Sequence, residues 1–420
     1  MIAAPNSPIW HPFAQHALEP PFRKVVHAEG AWLTLEDGSR VLDAISSWWV
    51  ITHGHRHPHV IEAIRDQCER LDQVIFAEFT HEPAERLAAG LLAVAPAGLS
   101  HVFFSDSGST SVEVAVKMAL GFWRNRGTPR SRVVVMEHSY HGDTVGAMSL
   151  GERGPFNEAY EPLLFETRTI PFPEKGREQE TLCAFERLCT CEPLAALLVE
   201  PLVLGAGGML MYEPWVLADL RRICSRHEVP LICDEVMTGW GRTGTLFACE
   251  QARVQPDILC TSKGLTGGTL PLAATLCAPG IFAAHYAPDR RRMFFHSSSF
   301  TANPIACAAA LANLEIWQNE PVLDRIRALG ELQRHELERF RADTRFREVR
   351  QLGTITALDV NSDASGYLSS IGPRLRGVMR DSGVLLRPLG NTLYVMPPYC
   401  TSASELALVY QVIRSAVDAL

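Results

Sequence analysis

Lys263 and Asp234 are the residues from which a chemistry can be built. The chain has 420 residues and four lysines, Lys24, Lys117, Lys175 and Lys263, and otherwise meets its need for positive charge with arginine. Lys24 lies beside Arg23, Lys117 inside a helical pattern, and Lys175 in the charged loop PEKGRE. Lys263 instead ends the apolar run PDILCTSK and precedes GLTGG, which predicts a place at the carboxyl end of a buried strand, where open α/β sheets bind ligands. A lysine there can lose its proton, which arginine cannot, and a neutral amine is what a Schiff-base nucleophile must be. Such a lysine also serves as a plain salt-bridge partner, so position alone leaves both roles open. Asp234, in VPLICDEVMTGWGRTG, takes the matching place one strand and crossover upstream. A carboxylate there suits a protonated ring nitrogen, and equally a helix cap or a structural ion pair.

Two further stretches add to these. In FFSDSGSTSVEVAVKMALGFW, Gly108 and Ser109 fall between an apolar strand and a helical pattern, where backbone N–H groups and a hydroxyl bind a dianion. In EHSYHGDT, Tyr140 sits at a strand end from which its ring could stack on a cofactor. ISSWWV sets Trp48 and Trp49 side by side; on a strand they would point to opposite faces, one filling a core and the other lining a cleft.

The elements that must position these residues follow from composition and pattern. Hydrophobic residues make up 47% and charged residues 20%, as in a globular enzyme, and the net charge of -8 argues against nucleic acid or an anionic membrane as partner. The amino terminus has no basic and apolar leader pattern, and no stretch is long and apolar enough to span a membrane, so a cytoplasmic location is expected. The eleven cysteines form no C-x-x-C pair and sit mostly in apolar runs, which suggests reduced buried thiols. HVFFSDSG, RVVVMEHS, AALLVEPL, VPLICDEV and PDILCTSK read as buried parallel strands joined by helical crossovers. After about Ile305 two long amphipathic helical patterns and short strands near TITALDV, VLLRPL and TLYVMPP take over, and WLTLEDG with RVLDAI reads as a hairpin. The expectation is an α/β fold: a large, doubly wound, mostly parallel domain over residues 51–310, and a smaller α+β domain from both termini, residues 1–50 and 311–420.

In THGHRHPHV, His53, His55, His57 and His59 recur at every second position, but Gly54 and Pro58 break a regular strand, and no metal is expected.

Gly-Ser before a helix, Tyr-His-Gly, D-E-V-x-x-G-x-G-R-T-G and S-K-G-L-T-G-G, in that order, resemble the fold-type I, class III aminotransferases dependent on pyridoxal phosphate. The likeness covers nearly the whole chain. IWHPF, SSWW, YHGDT and RPLGNTLYVMPPY are similar to the branch that passes the amino group of S-adenosylmethionine to 8-amino-7-oxononanoate, giving 7,8-diaminononanoate for biotin. ω-Amino-acid or ornithine-type transaminases and the aminomutases of glutamate-1-semialdehyde type are the alternatives.

The resemblance implies that Lys263 holds the cofactor and moves the proton, Asp234 pairs with its ring nitrogen, Gly108 and Ser109 hold its phosphate, and Tyr140 stacks on it. It also implies that Trp48, Trp49, Tyr394, Phe13 and Ser297 border the substrate, that Arg387 binds its carboxylate, and that Arg242 contacts the amino donor. The family works as a homodimer with shared sites, in which Ser298 and Ser299 would reach the phosphate of the other subunit. Two departures bear on substrate choice: Phe13 stands where relatives often have tyrosine, and HSSSF where they read H-G-P-T-F.

Overall fold

A computed structural model describes residues 7–361 and 371–420. Its centre is a seven-stranded sheet in the order His101–Ser105, Ala273–Cys277, Ile258–Thr261, Leu231–Asp234, Leu194–Val199, Arg132–Met136 and Arg168–Ile170. The central strands Leu194–Val199, Leu231–Asp234 and Ile258–Thr261 are buried at every residue, because helices cover both faces; this is why they read as unbroken apolar runs. All five runs form strands. Two more were not legible: Arg168–Ile170 is a three-residue edge, and Ala273–Cys277 is small-residue chain running antiparallel to both neighbours.

Trp32–Leu35 and Arg40–Asp43 form the expected hairpin, and Val384–Leu385, from far along the chain, pairs parallel to Arg40–Asp43. Phe346–Leu352, Ile355–Val360 and Thr392–Val395 make a separate antiparallel sheet. Helix Val322–Arg341 is amphipathic as its spacing predicts. Helix Pro304–Asn319 is not, and it runs across residue 310, where the domain boundary was expected. It packs against the helices Pro58–Cys68 and Glu82–Val94 and the Lys263–Thr266 turn, so it is buried on several sides. From it the wholly buried Asn313 donates to the Leu265 carbonyl at 3.1 Å, fixing the turn that follows the lysine.

ISSWWV is not a strand. Ser46–Trp49 is one kinked helical turn with left-handed φ at Ser46 (53°), Ser47 (60°) and Trp49 (66°). Each such residue costs about 1 kcal/mol or more, so the surroundings must over-determine the turn. Ser46 Oγ donates to the Met396 carbonyl at 2.8 Å and Ser47 Oγ to Asp43 Oδ2 at 2.9 Å. Arg242, 1% exposed, donates to the carbonyls of Ile51 at 2.7 Å, Trp49 at 3.4 Å and Pro397 at 3.1 Å.

The four histidines likewise leave the strand pattern. Gly54 (φ 107°) and Arg56 (φ 56°) turn the chain and a helix begins at Pro58. His53 meets Asn313 at 2.8 Å, His55 meets Asp43 at 2.9 Å, His57 meets Glu320 at 3.3 Å and His59 meets Glu315 at 2.6 Å, so each has its own partner.

Replacing Arg242 with Leu leaves three buried carbonyls short of a donor and frees the strained turn. The loss expected is about 3 kcal/mol, read as a lower urea midpoint. An unchanged midpoint would show that the turn holds itself.

Candidate active site

Four neighbouring parallel strands deliver the site. In sheet order, Ile258–Thr261 leads to Lys263, Leu231–Asp234 ends on Asp234, Leu194–Val199 leads to Glu200, and Arg132–Met136 leads to Tyr140 and His141. The register sets Cys260 beside Asp234 and Val199 beside Cys233, which aligns their carboxyl ends. Lys263, Asp234, Glu200, Tyr140 and His141 all line one inner cavity, together with Gly108 and Ser109.

Lys263 leaves its strand after Ser262 with a left-handed φ of 46°. Burial lowers its ammonium to about 8, although the charges of Asp234 and Glu200 oppose that shift. Its Nζ lies 4.8 Å from the Trp49 ring centre. Asp234, 5% exposed, has Oδ2 at 2.7 Å from His141 Nδ1 and accepts from Val236 N at 3.1 Å through Oδ1. An ionised Asp234 makes the imidazole nitrogen the donor. Burial pushes the Glu200 carboxyl up to about 7, with Asp234 adding to the rise and His141 opposing it. The Tyr140 phenol is also raised, first by burial and then by Asp143, and stays protonated.

The wall opposite is a helix end. Ser107 caps Gly108–Asn125 through reciprocal bonds with Thr110, Oγ accepting from Thr110 N at 3.2 Å and Ser107 N donating to Thr110 Oγ1 at 2.9 Å. First-turn N–H groups at Gly108 and Ser109 have no partner within the helix and suit an anion. A Cβ on Gly108 would lie 2.6 Å from Val236 Cγ1, and one on Gly142 (φ 129°) would lie 2.0 Å from Ser109 Oγ. At both positions a side chain would collide with residues that line the cavity, so this close approach requires glycine. An amine with a lowered pKa, a buried carboxylate, an aromatic ring and a helix-end anion site are the donor set that pyridoxal phosphate requires, so the residues present fit that group.

A second, wider cavity of about 400 Å³ opens outward from Lys263. It is lined by Phe13, Trp48, Trp49, Phe156, Arg387 and Tyr394 among others. Trp49 is buried and donates from Nε1 to the Tyr394 hydroxyl at 3.0 Å, while Trp48 is 42% exposed. The Arg387 guanidinium lies 5.3 Å from the Trp48 ring centre and donates to the Phe13 carbonyl at 2.9 Å.

Four expected residues fall elsewhere. Arg242 lines neither cavity, and its planar fork is taken up by backbone carbonyls. Ser298 and Ser299 do not line the cavity of their own chain. Ser298 Oγ bonds Asp106, and the Ser299 carbonyl accepts from Gln73 Nε2 at 2.5 Å. Ser297 is likewise absent from both linings. His141 and Glu200 were not singled out from the sequence. Glu200 did leave a signal, as the one charge inside LAALLVEPLVL.

Comparison with known proteins agrees with this geometry. Residues 13–417 match the family Aminotransferase class-III. The chain is 45% identical over 423 residues to an adenosylmethionine-8-amino-7-oxononanoate aminotransferase of Synechococcus elongatus, covering 99% of each. It is 41% identical to that of Mycobacterium leprae, covering 96% of this chain and 93% of the other. Among solved structures, adenosylmethionine-8-amino-7-oxononanoate aminotransferase of Methanocaldococcus jannaschii superposes with a TM-score of 0.93 at 31% identity, covering 98% of this chain and 97% of that one. A pyridoxal-phosphate-bound amine transaminase from an uncultivated Pseudomonas species gives 0.92 at 30%, with coverage of 98% and 99%. The chain belongs to the class III aminotransferases, enzymes that depend on pyridoxal 5'-phosphate.

Proposed function

We propose that this aminotransferase moves the amino group of S-adenosylmethionine to 8-amino-7-oxononanoate in two half-reactions, giving 7,8-diaminononanoate for biotin. The observation that carries the reading is the outer cavity. Its aromatic walls at Trp48, Phe13 and Phe156 suit a long apolar chain, and the Arg387 guanidinium suits a terminal carboxylate. The relatives named for this reaction, at 45% and 41% identity over nearly the full chain, support it.

Pyridoxal phosphate supplies the electron sink that stabilises the carbanion left when the amine loses its α-proton. Lys263 Nζ would hold the cofactor and, as a neutral amine, would accept and return the proton of the amine's α-carbon. Asp234, fixed by His141 Nδ1, keeps the ring nitrogen protonated. Gly108 and Ser109 N–H groups would hold the phosphate, and the Tyr140 ring, which lines the same cavity, would pack against the cofactor. Ser298 and Ser299 reach the phosphate of the partner subunit in a homodimer; their absence from the cavity of their own chain and the exposed Phe295 and Phe300 beside them support that placement.

A donor screen with 8-amino-7-oxononanoate as acceptor tests the substrates. S-Adenosylmethionine should support 7,8-diaminononanoate formation. Turnover only with ω-amino acids or ornithine, or isomerisation of one substrate without an acceptor, would replace the reading. Arg387→Ala should raise KM for the keto acid about ten- to a hundredfold while cofactor loading is unchanged, the loss expected for a charge-assisted pair; an unchanged KM would send the carboxylate elsewhere.

Because burial lowers the Lys263 ammonium to about 8, the neutral amine is the minor form below that pH. The rate of pyridoxal phosphate uptake by the apoenzyme should therefore rise with pH, about tenfold per unit, and level off above about 8. Stopped-flow absorbance reads it, and a flat profile from about pH 6 to 8 would contradict the assignment of the attacking amine.

A further inference from the structure

We propose that Glu200 is a positioning residue for the transamination, clamping the segment that carries Tyr140 to the turn that carries Ala206. Glu200 stands in the sheet between the Asp234 strand and the Tyr140 strand and is 6% exposed. Its Oε1 accepts from Tyr140 N at 3.0 Å and its Oε2 from Gly205 N at 2.9 Å. Its own backbone is held in turn, the carbonyl accepting from the Tyr212 hydroxyl at 3.0 Å. One carboxylate thus ties Tyr140, which lines both cavities, to Gly205, whose neighbour Ala206 lines the outer one.

The same carboxylate faces the inner cavity beside Asp234, His141, Tyr140 and Lys263, and Arg242 is the further charge that acts on the lysine. Glu200 therefore acts on the reaction in two separable ways: it sets the frame through two hydrogen bonds, and its ionised form, dominant above about pH 7, adds negative charge near the amine. A purely structural carboxylate would do only the first.

Two substitutions separate these effects. Glu200→Gln keeps the volume but loses the charge and one acceptor, since its amide NH2 faces a backbone N–H. Glu200→Asp keeps the charge but is too short to reach both N–H groups. In Glu200→Gln loaded with pyridoxal phosphate, the pH midpoint of the visible absorption band should fall, and kcat should drop about tenfold or more while KM stays within about twofold. Glu200→Asp should recover the pH midpoint but not kcat. A loaded Glu200→Gln enzyme with the original midpoint and kcat would overturn the proposal.

If Glu200→Gln does not fold or load, amide exchange in the unsubstituted holoenzyme decides. The Tyr140 and Gly205 amides should exchange at least about a hundredfold more slowly than open loop amides, and loop-like exchange would overturn the clamp. The inference rests on the cofactor class alone, so any donor and acceptor that the enzyme uses will serve, and its failure would leave the substrate reading untouched.

Discussion

A lysine amine held out of water near two carboxyl groups sets the terms for the rest of this molecule. Burial disfavours the charged amine, Asp234 and Glu200 favour it, and burial prevails, leaving the group at about 8. Such a balance needs walls that do not move. The register of three parallel strands provides them, since Val199 beside Cys233 and Asp234 beside Cys260 align the ends from which all three groups emerge. The fourth strand brings Tyr140 and His141, and His141 spends one nitrogen on Asp234.

The outer cavity depends on a different device. Trp48 and Trp49 occupy a turn that the backbone would not choose, with left-handed φ at three residues, and Arg242 holds it by donating to the carbonyls of Trp49, Ile51 and Pro397. This joins chain near residue 50 to chain near residue 397. Trp49 then joins the two cavities, with its ring near Lys263 and its Nε1 on Tyr394. Strain at a wall of the substrate space is thus offset by hydrogen bonds made in the interior.

Much of this could be read from the sequence, for a physical reason. Buried parallel strands are unbroken apolar runs, so the polar residue that ends each run is conspicuous, and Lys263, Asp234 and Tyr140 were found that way. The Gly108–Ser109 pair was found by its place before a helix. What failed was anything decided by tertiary contact. For the tryptophan pair, strand alternation offered one face for a core and one for a cleft; Trp49 is buried and Trp48 exposed, but on a turn that distant bonds impose. Arg242 has the same chemistry whether its fork meets a ligand or three carbonyls, and sequence does not distinguish them. Ala273–Cys277 escaped notice because small residues make a faint strand signal, and helix Pro304–Asn319 is buried on more sides than its spacing suggested. His141 was visible only as part of a Tyr-His-Gly turn, since its partner lies 93 positions away.

The central claim is that this strand-end cleft holds pyridoxal phosphate on Lys263. Borohydride reduction of the loaded enzyme, followed by proteolysis and mass spectrometry, tests it most directly. The account predicts the pyridoxyl mass on the peptide containing Lys263 alone. Finding it on a peptide containing Lys24, Lys117 or Lys175 instead would contradict the account.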